Sequence, residues 1–370
     1  MSVDDVFSPD YATARRRFLA AAERAGARVT SHVLPRERGL GGEELAMDVA
    51  WLGPAEPSAV LVISSGLHGV EGFVGSALQL ELLASRAHVA AAAPSSGTAV
   101  VLIHAVNPYG FSHVDRSNEE NVDLNRNFVD HATLRHENPG YVHLADAIAP
   151  ATLDDDADAA RLARLQAFAT AHGLRRLEEA VSGGQYSHPR GLYYGGERTQ
   201  WSTQRLLAIA RDAASRARRV AWIDVHTGLG EPAALSLLSD LPADSPAFQR
   251  ARRWYGAAAE SLVGGDATSV VTHGSLDFGL YEALAPAAEA TVITAELGTQ
   301  PPFEVFLALR ARNWLRHHGD TDLHAPRARA IREALTAAFD PRATRWREDA
   351  LAAVRGAVAR TIDGLEADLR

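Results

Sequence analysis

Cysteine is absent from this sequence of 370 residues. The absence excludes disulfide bonds, thiol nucleophiles and every zinc site that uses cysteine thiolates as ligands. Any metal ion must therefore be held by histidine, aspartate or glutamate. The 15 histidines of the chain are the first candidates for such a role.

Long apolar runs and an excess of positive charge are also absent. No segment approaches the roughly 20 apolar residues needed to cross a bilayer, and the stretch MSVDDVFSPDYATARRRF lacks the charged-then-apolar order of a signal peptide. The formal net charge is -9, with acidic and basic residues interspersed, so no basic face is available for nucleic-acid phosphates. We expect a cytoplasmic protein that binds neither membrane nor nucleic acid; a homo-oligomer is compatible with the sequence.

Hydrophobic residues make up 46% of the sequence, which is enough for a sizeable core. RVTSHVL and LAMDVAWL alternate, whereas AVLVI (59–63), AVVLIHA (99–105), VAWIDV (220–225) and ATVITA (290–295) are continuous runs, typical of strands buried on both faces. Between the strands, helical patterns are predicted at 73–85, 157–181, 202–219, 246–262 and 302–318. Strands that alternate with helices predict an α/β fold in which a mostly parallel sheet carries helices on both faces.

Two segments depart from this alternation. Residues 130–200 contain an acidic, alanine-rich helix and then SGGQYSHPRGLYYGGERTQWS, which we interpret as a long loop at the rim of a functional site. After residue 320, two more helices are predicted, the last with an apolar stripe of Trp346, Leu351, Val354, Val358, Ile362, Leu365 and Leu369. The sequence thus predicts a catalytic domain over 1–320, which includes the 130–200 insertion. A helical extension over 321–370 is predicted to pack on this domain or on a second subunit.

Polar side chains follow each of the four continuous apolar runs. His68 and Glu71 follow the first run, within SSGLHGVEG; His226 follows the third, and the fourth ends on Glu296. The segment after the second run supplies Arg116, Asp123, Asn125 and Arg126. Ligands of open α/β sheets bind outside the carboxyl ends of the strands. In a parallel sheet, these residues are therefore expected to meet in one crevice.

The polar residues at the strand ends match the needs of a catalytic zinc site, which has three protein ligands and an open position for water. On its own, the spacing of His68 and Glu71 also fits an ordinary glycine-rich connector. Together with His226, however, the pair supplies two imidazoles and one carboxylate. Glu296 is then a spare carboxylate that can accept a proton from the water. The joint pattern favours one zinc ion.

Four motifs that contain these residues resemble those of the zinc carboxypeptidase superfamily, which also includes the succinylglutamate desuccinylases and aspartoacylases. They are HGVEG, NPYGF…R…NVDLNRNF, DVHTG and AELGT, in this order, and the resemblance covers roughly residues 10–320. The chain most resembles an uncharacterised bacterial branch, a domain of unknown function. The resemblance implies a three-layer α/β/α fold around a mixed, mostly parallel sheet, and a zinc metallopeptidase or related hydrolase.

The resemblance also implies the residues that perform catalysis. His68, Glu71 and His226 would be the zinc ligands. Glu296 would be the general base that later returns a proton to the leaving amine. Arg116 would stabilise the oxyanion that develops during hydrolysis.

Other residues would recognise the substrate or support the ligands. By the same resemblance, Asn125 and Arg126 would bind a free carboxylate of the substrate, the arginine through two hydrogen bonds. Asp123 would hold the second nitrogen of the first histidine ligand. Independently of the resemblance, Asp224 lies two residues before His226 and is a candidate partner for that ring.

The substrate class stays open between two alternatives. A small peptide with a free C-terminus and an N-acyl amino acid both present an amide next to a carboxylate. Carboxypeptidase action is the leading hypothesis, and deacylation of an N-acyl amino acid, as in aspartoacylases, is the alternative. A tyrosine that closes over the substrate in classical digestive carboxypeptidases has three candidate counterparts here, Tyr193, Tyr194 and Tyr281.

Two hypotheses of a different class are also considered. AVSGG at 180–184 is a variant of the serine hydrolase nucleophile elbow, but Ser182 follows a charged helical pattern instead of a buried strand. This context argues against a serine hydrolase. A relative that binds carboxylates without catalysis is the second hypothesis, and the presence of Glu296 together with all three ligands argues against it.

Overall fold

The computed structural model describes residues 3–85, 97–263, 270, 272–287, 289–319 and 322–367. The strands of this part of the chain are β1 (Arg28–Arg38), β2 (Glu44–Leu52), β3 (Ala59–Ser65), β4 (Thr98–His104), β5 (Arg219–Gly228), β6 (Leu235–Pro242), β7 (Ala259–Val263) and β8 (Glu289–Gly298). They form one sheet in the spatial order β1-β2-β4-β3-β5-β8-β6-β7.

The sheet is mixed and mostly parallel, as predicted. The four central strands β4, β3, β5 and β8 run parallel to one another. Antiparallel pairs join β1 to β2, β2 to β4 and β6 to β8, while β7 lies parallel to β6 at one edge. The carboxyl ends of the four central strands therefore lie along one edge of the sheet. These four ends are the ones that the candidate site residues follow.

The helices of the described chain are α1 (Val3–Val6), α2 (Tyr11–Arg24), α3 (Gly72–Ala84), α4 (Pro108–His113), α5 (Pro139–Ile148), α6 (Asp155–His172), α7 (Leu174–Ser182), α8 (Trp201–Arg216), α9 (Pro246–Tyr255), α10 (Leu276–Ala283), α11 (Pro302–His318), α12 (Pro326–Phe339) and α13 (Thr344–Ala367). In this part of the chain, no helix combines the length and apolar character needed to span a membrane.

Side chains of the central strands alternate between two cores because successive residues of a strand point to opposite faces. Leu61 and Ile63 pack with α2, α3, α9 and α13 on one face of the sheet. Val60 and Val62 pack with α8 and α10 on the other face. Burial on both faces explains the continuous apolar runs in these strands. The predicted three-layer α/β/α architecture is confirmed.

Two of the predicted helices are wrong in part. The single helix predicted over 157–181 is interrupted by Gly173, whose φ of 92° ends α6 before α7 begins. The helix predicted over 246–262 ends at Tyr255; Gly256 has a φ of 64°, and Ala259–Val263 forms β7. Strands β6 and β7 were not predicted, since neither contains a continuous apolar run.

The C-terminal helix α13 packs on the same face of the sheet as α3 and α9. Its buried side chains include Trp346, Leu351, Val354, Val358, Ile362 and Leu365; Leu369 lies outside the described residues. The indole Nε1 of Trp346 donates a hydrogen bond to the carbonyl of Gly298 at 2.9 Å. The helix thus contacts the end of β8. The boundary near residue 320 stays a prediction.

Candidate active site

His68 and Glu71 lie in the connection between β3 and α3. His68 immediately precedes a short 3-10 helix, Gly69–Glu71, and both side chains are buried. A Cβ atom on Gly69 would lie 2.0 Å from the carbonyl carbon of Gly110, so only glycine permits this close approach. The turn brings Nδ1 of His68 to 2.8 Å from Oε1 of Glu71.

His226, near the end of β5, completes this group. Its Nδ1 lies 3.1 Å from Oε2 of Glu71, and its ring centroid lies 4.9 Å from that of His68. Ligand atoms of His68, Glu71 and His226 all lie within 4.8 Å of one another. Within the described residues, no second group of this kind is present. The predicted ligand trio therefore converges on one point.

A carboxylate faces the outer nitrogen of each imidazole. Nε2 of His68 lies 3.2 Å from Oδ1 of Asp123, and Nε2 of His226 lies 2.5 Å from Oδ2 of Asp224. An Nε2–H group that donates to a carboxylate leaves the Nδ1 lone pair available to a metal ion. Both Nδ1 atoms face Glu71. The donor set thus fits a metal ion such as zinc.

The electrostatics of the group favour a positive charge at its centre. Burial by itself raises the pKa of Glu71, but the charges of His68 and His226 outweigh it and hold that pKa far below its usual range. Burial lowers the pKa of His226, yet Asp224 and Glu71 raise it well above the ordinary value. Glu71 therefore stays ionised, and the buried negative charge of Glu71 and Asp224 attracts a cation, either a proton on His226 or a metal ion that displaces it.

Glu296 lies on β8, directly opposite His226 on β5 in the parallel register. Its Oε1 accepts a hydrogen bond of 2.9 Å from the backbone N–H of Leu229. Burial and the nearby charge of Glu71 raise the pKa of Glu296 to about 7. A carboxylate with this pKa can accept and release a proton near neutral pH.

Arg116 lies beside the ligand trio. Its Nε donates to Oδ2 of Asp123 at 2.9 Å, and its Nη1 lies 3.5 Å from Oε1 of Glu71. Asp123 therefore contacts both Arg116 and His68. The guanidinium is consequently close enough to the ligand group to interact with a substrate oxygen there.

Arg126 and Asn125 lie in the short 3-10 helix Leu124–Arg126. Three N–H groups of Arg126 donate to backbone carbonyls, two to Ser182 and one to Asn125. Among the described residues, no carboxylate lies within 4 Å of its buried guanidinium, and burial lowers its pKa. Asn125 Oδ1 accepts from the backbone N–H of Leu276 at 2.8 Å. A buried guanidinium with no carboxylate in direct contact is suited to bind an external carboxylate.

The glycine- and tyrosine-rich segment after α7 lies against both arginines. Of the three candidate tyrosines, Tyr193 has its ring centroid 5.3 Å from Cζ of Arg116 and 5.8 Å from Cζ of Arg126. Tyr281 instead accepts a hydrogen bond from the backbone N–H of Val292. Ser182 donates its hydroxyl to the carbonyl of Glu178 in its own helix, so it does not resemble an exposed nucleophile.

Sequence reasoning missed three residues that support the site. Ser64 Oγ donates to Oδ1 of Asp224 at 2.5 Å, and Trp222 Nε1 donates to Ser64 Oγ at 2.7 Å. Both lie inside apolar-looking strands, where a serine or an indole gives no separate signal. Tyr186, whose hydroxyl donates to the carbonyl of Arg126 at 2.6 Å, was likewise not identified.

The fold and site together define a three-layer α/β protein with a buried His-Glu-His group, whose donor atoms fit a metal ion, at the carboxyl edge of its sheet. The chain belongs to the DUF2817 family, whose model matches residues 7–353 and whose description is "Protein of unknown function". The family match confirms the expected domain of unknown function. Among curated proteins, none matches this sequence.

Several solved structures are similar to this chain at low identity. Bovine thrombin-activatable fibrinolysis inhibitor, in complex with tick carboxypeptidase inhibitor, is 13% identical to this chain. The match covers 92% of this chain and 96% of the inhibitor, with a TM-score of 0.48. Carboxypeptidase A from Helicoverpa armigera is 12% identical in a match that covers 94% of this chain and 75% of the carboxypeptidase, with a TM-score of 0.43. A succinylglutamate desuccinylase from Silicibacter is 13% identical in a match that covers 79% of this chain and 67% of the desuccinylase, with a TM-score of 0.40. Similarities this distant do not transfer an activity, so the function is argued from the site itself.

Proposed function

We propose that this protein is a zinc-dependent hydrolase that cleaves an amide bond next to a free carboxylate of its substrate. The observation that carries the proposal is the convergence of His68, Glu71 and His226, whose ligand atoms lie within 4.8 Å of one another. Two imidazoles and one carboxylate are the ligand set of many catalytic zinc ions. Glu296 on the adjoining strand adds a proton acceptor.

The residues of the chain have distinct roles in this hydrolysis. When bound, zinc supplies Lewis acidity, which lowers the pKa of a water molecule and polarises the scissile carbonyl. Glu296 accepts the proton of the attacking water and returns it to the leaving amine. Arg116 donates hydrogen bonds to the oxygen on which negative charge develops.

Arg126 and Asn125 bind the substrate carboxylate. Three of the five N–H donors of Arg126 are used by backbone carbonyls, so the remaining two are available to a carboxylate. A carboxypeptidase acting on small peptides is the function we favour. An N-acyl amino acid carries the same amide and carboxylate, so deacylation by the same residues is the second candidate.

The test compares zinc-loaded wild-type protein with the Glu296→Gln variant on a library of peptides and N-acyl amino acids, with products identified by mass spectrometry. Loss of a C-terminal residue identifies a carboxypeptidase, and loss of an acyl group identifies a deacylase. We expect Glu296→Gln to reduce turnover by about 10²- to 10⁴-fold while it retains one zinc. His226→Ala should lose both zinc and turnover. Glu304→Gln, an exposed carboxylate in the first turn of α11, is the matched control and should behave as wild type.

Three outcomes would contradict this proposal. Full activity in Glu296→Gln would remove the proposed general base. Wild-type protein that binds carboxylates but turns over no member of the library would favour the non-catalytic hypothesis. Activity that survives chelation but is abolished by a serine-directed phosphonate would favour a serine hydrolase.

A further inference from the structure

The backbone of Tyr193 adopts a conformation that is unfavourable for an aromatic residue. Its φ is 56°, in the left-handed region, although its side chain is only 8% exposed. Left-handed backbone is sterically unfavourable for residues with a Cβ. The backbone that follows its Cα is held in place, because Tyr193 O accepts from Gln185 N at 3.2 Å and Tyr194 O accepts from Asp123 N at 2.8 Å. The residue is thus held at the site against its own conformational preference.

The ring of Tyr193 contacts both functional arginines. Its centroid lies 5.3 Å from Cζ of Arg116 and 5.8 Å from Cζ of Arg126. Burial raises the pKa of Tyr193, so the phenol stays neutral and the contacts are cation–π interactions instead of ion pairs. The described part of the chain offers the Tyr193 hydroxyl no hydrogen-bond partner. The contact therefore depends on the aromatic ring.

These contacts matter because two like charges lie close together in a buried site. Burial and the charge of Arg116 lower the pKa of Arg126, and the charge of Asp123 offsets them only in part. Asp123 accepts a direct hydrogen bond from Nε of Arg116, whereas the hydrogen bonds of Arg126 go to backbone carbonyls. The negative face of an aromatic ring attracts both guanidinium groups. Tyr193 is a shared neighbour of both cations and carries no charge of its own.

We propose that Tyr193 is a positioning residue that holds Arg116 and Arg126 at a fixed separation, so that one binds the developing oxyanion while the other binds the substrate carboxylate. Tyr193 acts through the two arginines and does not itself take part in proton transfer. The kinetic consequence rests on the proposed function, whereas the placement of the two arginines does not.

The first test is structural and needs no substrate. Crystal structures of full-length Tyr193→Phe and Tyr193→Leu are compared with the wild-type structure. The Phe variant should keep both guanidinium groups in place, because it keeps the ring. The Leu variant should shift at least one of them by about 1 Å or more, which is enough to impair a catalytic arrangement. If Tyr193→Leu does not fold, Tyr193→Met replaces it as an apolar side chain without a ring.

The second test is kinetic and uses zinc-loaded enzyme with a peptide that the wild type cleaves. Tyr193→Phe should keep kcat and KM within about twofold, and Tyr193→Leu should lose at least about tenfold in kcat/KM through both a lower kcat and a higher KM. Tyr255→Leu removes an equally buried tyrosine far from the arginines, where it bonds to Thr361. Its kinetic constants should stay unchanged.

The two tests separate failure of this inference from failure of the proposed function. Arginines that keep their wild-type positions in Tyr193→Leu would overturn the positioning role, whatever the substrate. A Phe variant as impaired as the Leu variant would also overturn it, since the hydroxyl would then carry the effect. Displaced arginines in a protein that cleaves nothing would leave the positioning role intact and reject the hydrolase.

Discussion

Asp224 accepts a hydrogen bond from Nε2 of His226 across 2.5 Å. The other oxygen of the same carboxylate accepts from Ser64, and Ser64 accepts from the indole of Trp222. All four side chains are buried. The chain of bonds fixes the proton of His226 on Nε2 and leaves Nδ1 facing Glu71. The orientation of one proposed zinc ligand is therefore set by residues of two neighbouring strands.

Asp224→Asn should weaken zinc binding. The substitution removes the negative charge that makes Nδ1 of His226 a stronger metal ligand. Loss of such a partner typically costs about 10- to 100-fold in metal affinity. The zinc dissociation constant is measured by competition with a chelator. Asp340→Asn is the control, because it neutralises a buried carboxylate that pairs with Arg347, and it should leave zinc affinity unchanged. Equal affinity in both variants would contradict the role of Asp224.

Arg126→Gln should weaken binding of substrates with a free carboxylate. Loss of a charged hydrogen-bond donor of this kind costs about 1.5–3 kcal/mol, or roughly 10- to 100-fold in kcat/KM, mostly as a higher KM. Steady-state kinetics are compared with a peptide and its C-terminal amide. The amide should be a poor substrate for both proteins, with little difference between them. Arg198→Gln changes an exposed arginine that pairs with Glu120 and should match wild type; an equal loss there would argue against carboxylate recognition by Arg126.

Removal of the metal should lower the melting temperature. A ligand that binds only the folded state stabilises it, by about 2.7 kcal/mol when it is present at 100 times its dissociation constant. Melting curves are recorded for wild-type protein with zinc and with a chelator. Glu71→Gln removes a ligand of the proposed site, so its melting temperature should no longer respond to zinc. A zinc-dependent shift that persists in Glu71→Gln would place the metal elsewhere.

Protonation of His104 should oppose folding in acid. Burial lowers the pKa of His104 from 6.5 to about 4, so between these pH values the unfolded chain takes up a proton that the folded protein does not. The free energy of unfolding should therefore fall by about 3 kcal/mol from this residue as the pH drops from 6.5 to 4. His104→Phe keeps a ring against Phe18 and should remove this part of the pH dependence.

The measurement is chemical denaturation of metal-free wild type and His104→Phe at pH 6.5, 5 and 4, with a chelator present so that zinc release does not contribute. His172→Phe is the control, because it keeps a ring beside Phe168 at an exposed position, and it should keep the pH dependence of wild type. Parallel pH dependence in wild type and His104→Phe would show that His104 does not carry the effect.

The central strands of the fold could be predicted from the sequence because they are buried on both faces. Such burial requires unbroken apolar runs, and β3, β4, β5 and β8 each contain one. The outer strands β6 and β7 leave no comparable signal, since polar residues interrupt their apolar positions and make them resemble a loop or the end of a helix. The break at Gly173 was missed because a single glycine can be tolerated within an otherwise helical pattern.

The candidate site, like the fold, could be predicted only in part. His68, Glu71, His226 and Glu296 could be identified because each follows an apolar run in the sequence. Their arrangement could not be predicted, because no spacing specifies which imidazole nitrogen faces the centre. Ser64 and Trp222 were missed altogether, since their role depends on hydrogen bonds between strands that are far apart in the chain.

By itself, the sequence determined the fold class, the edge of the sheet that carries polar residues and the amino-acid types available for catalysis. These properties follow from local hydrophobic patterning and from the rule that parallel strands end at one edge. Only the tertiary structure decided that Nδ1 of His226 faces Glu71 and that the ring of Tyr193 contacts both arginines. Such relations depend on hydrogen-bond geometry and charge between segments more than fifty residues apart, which only the folded chain brings within a few ångströms.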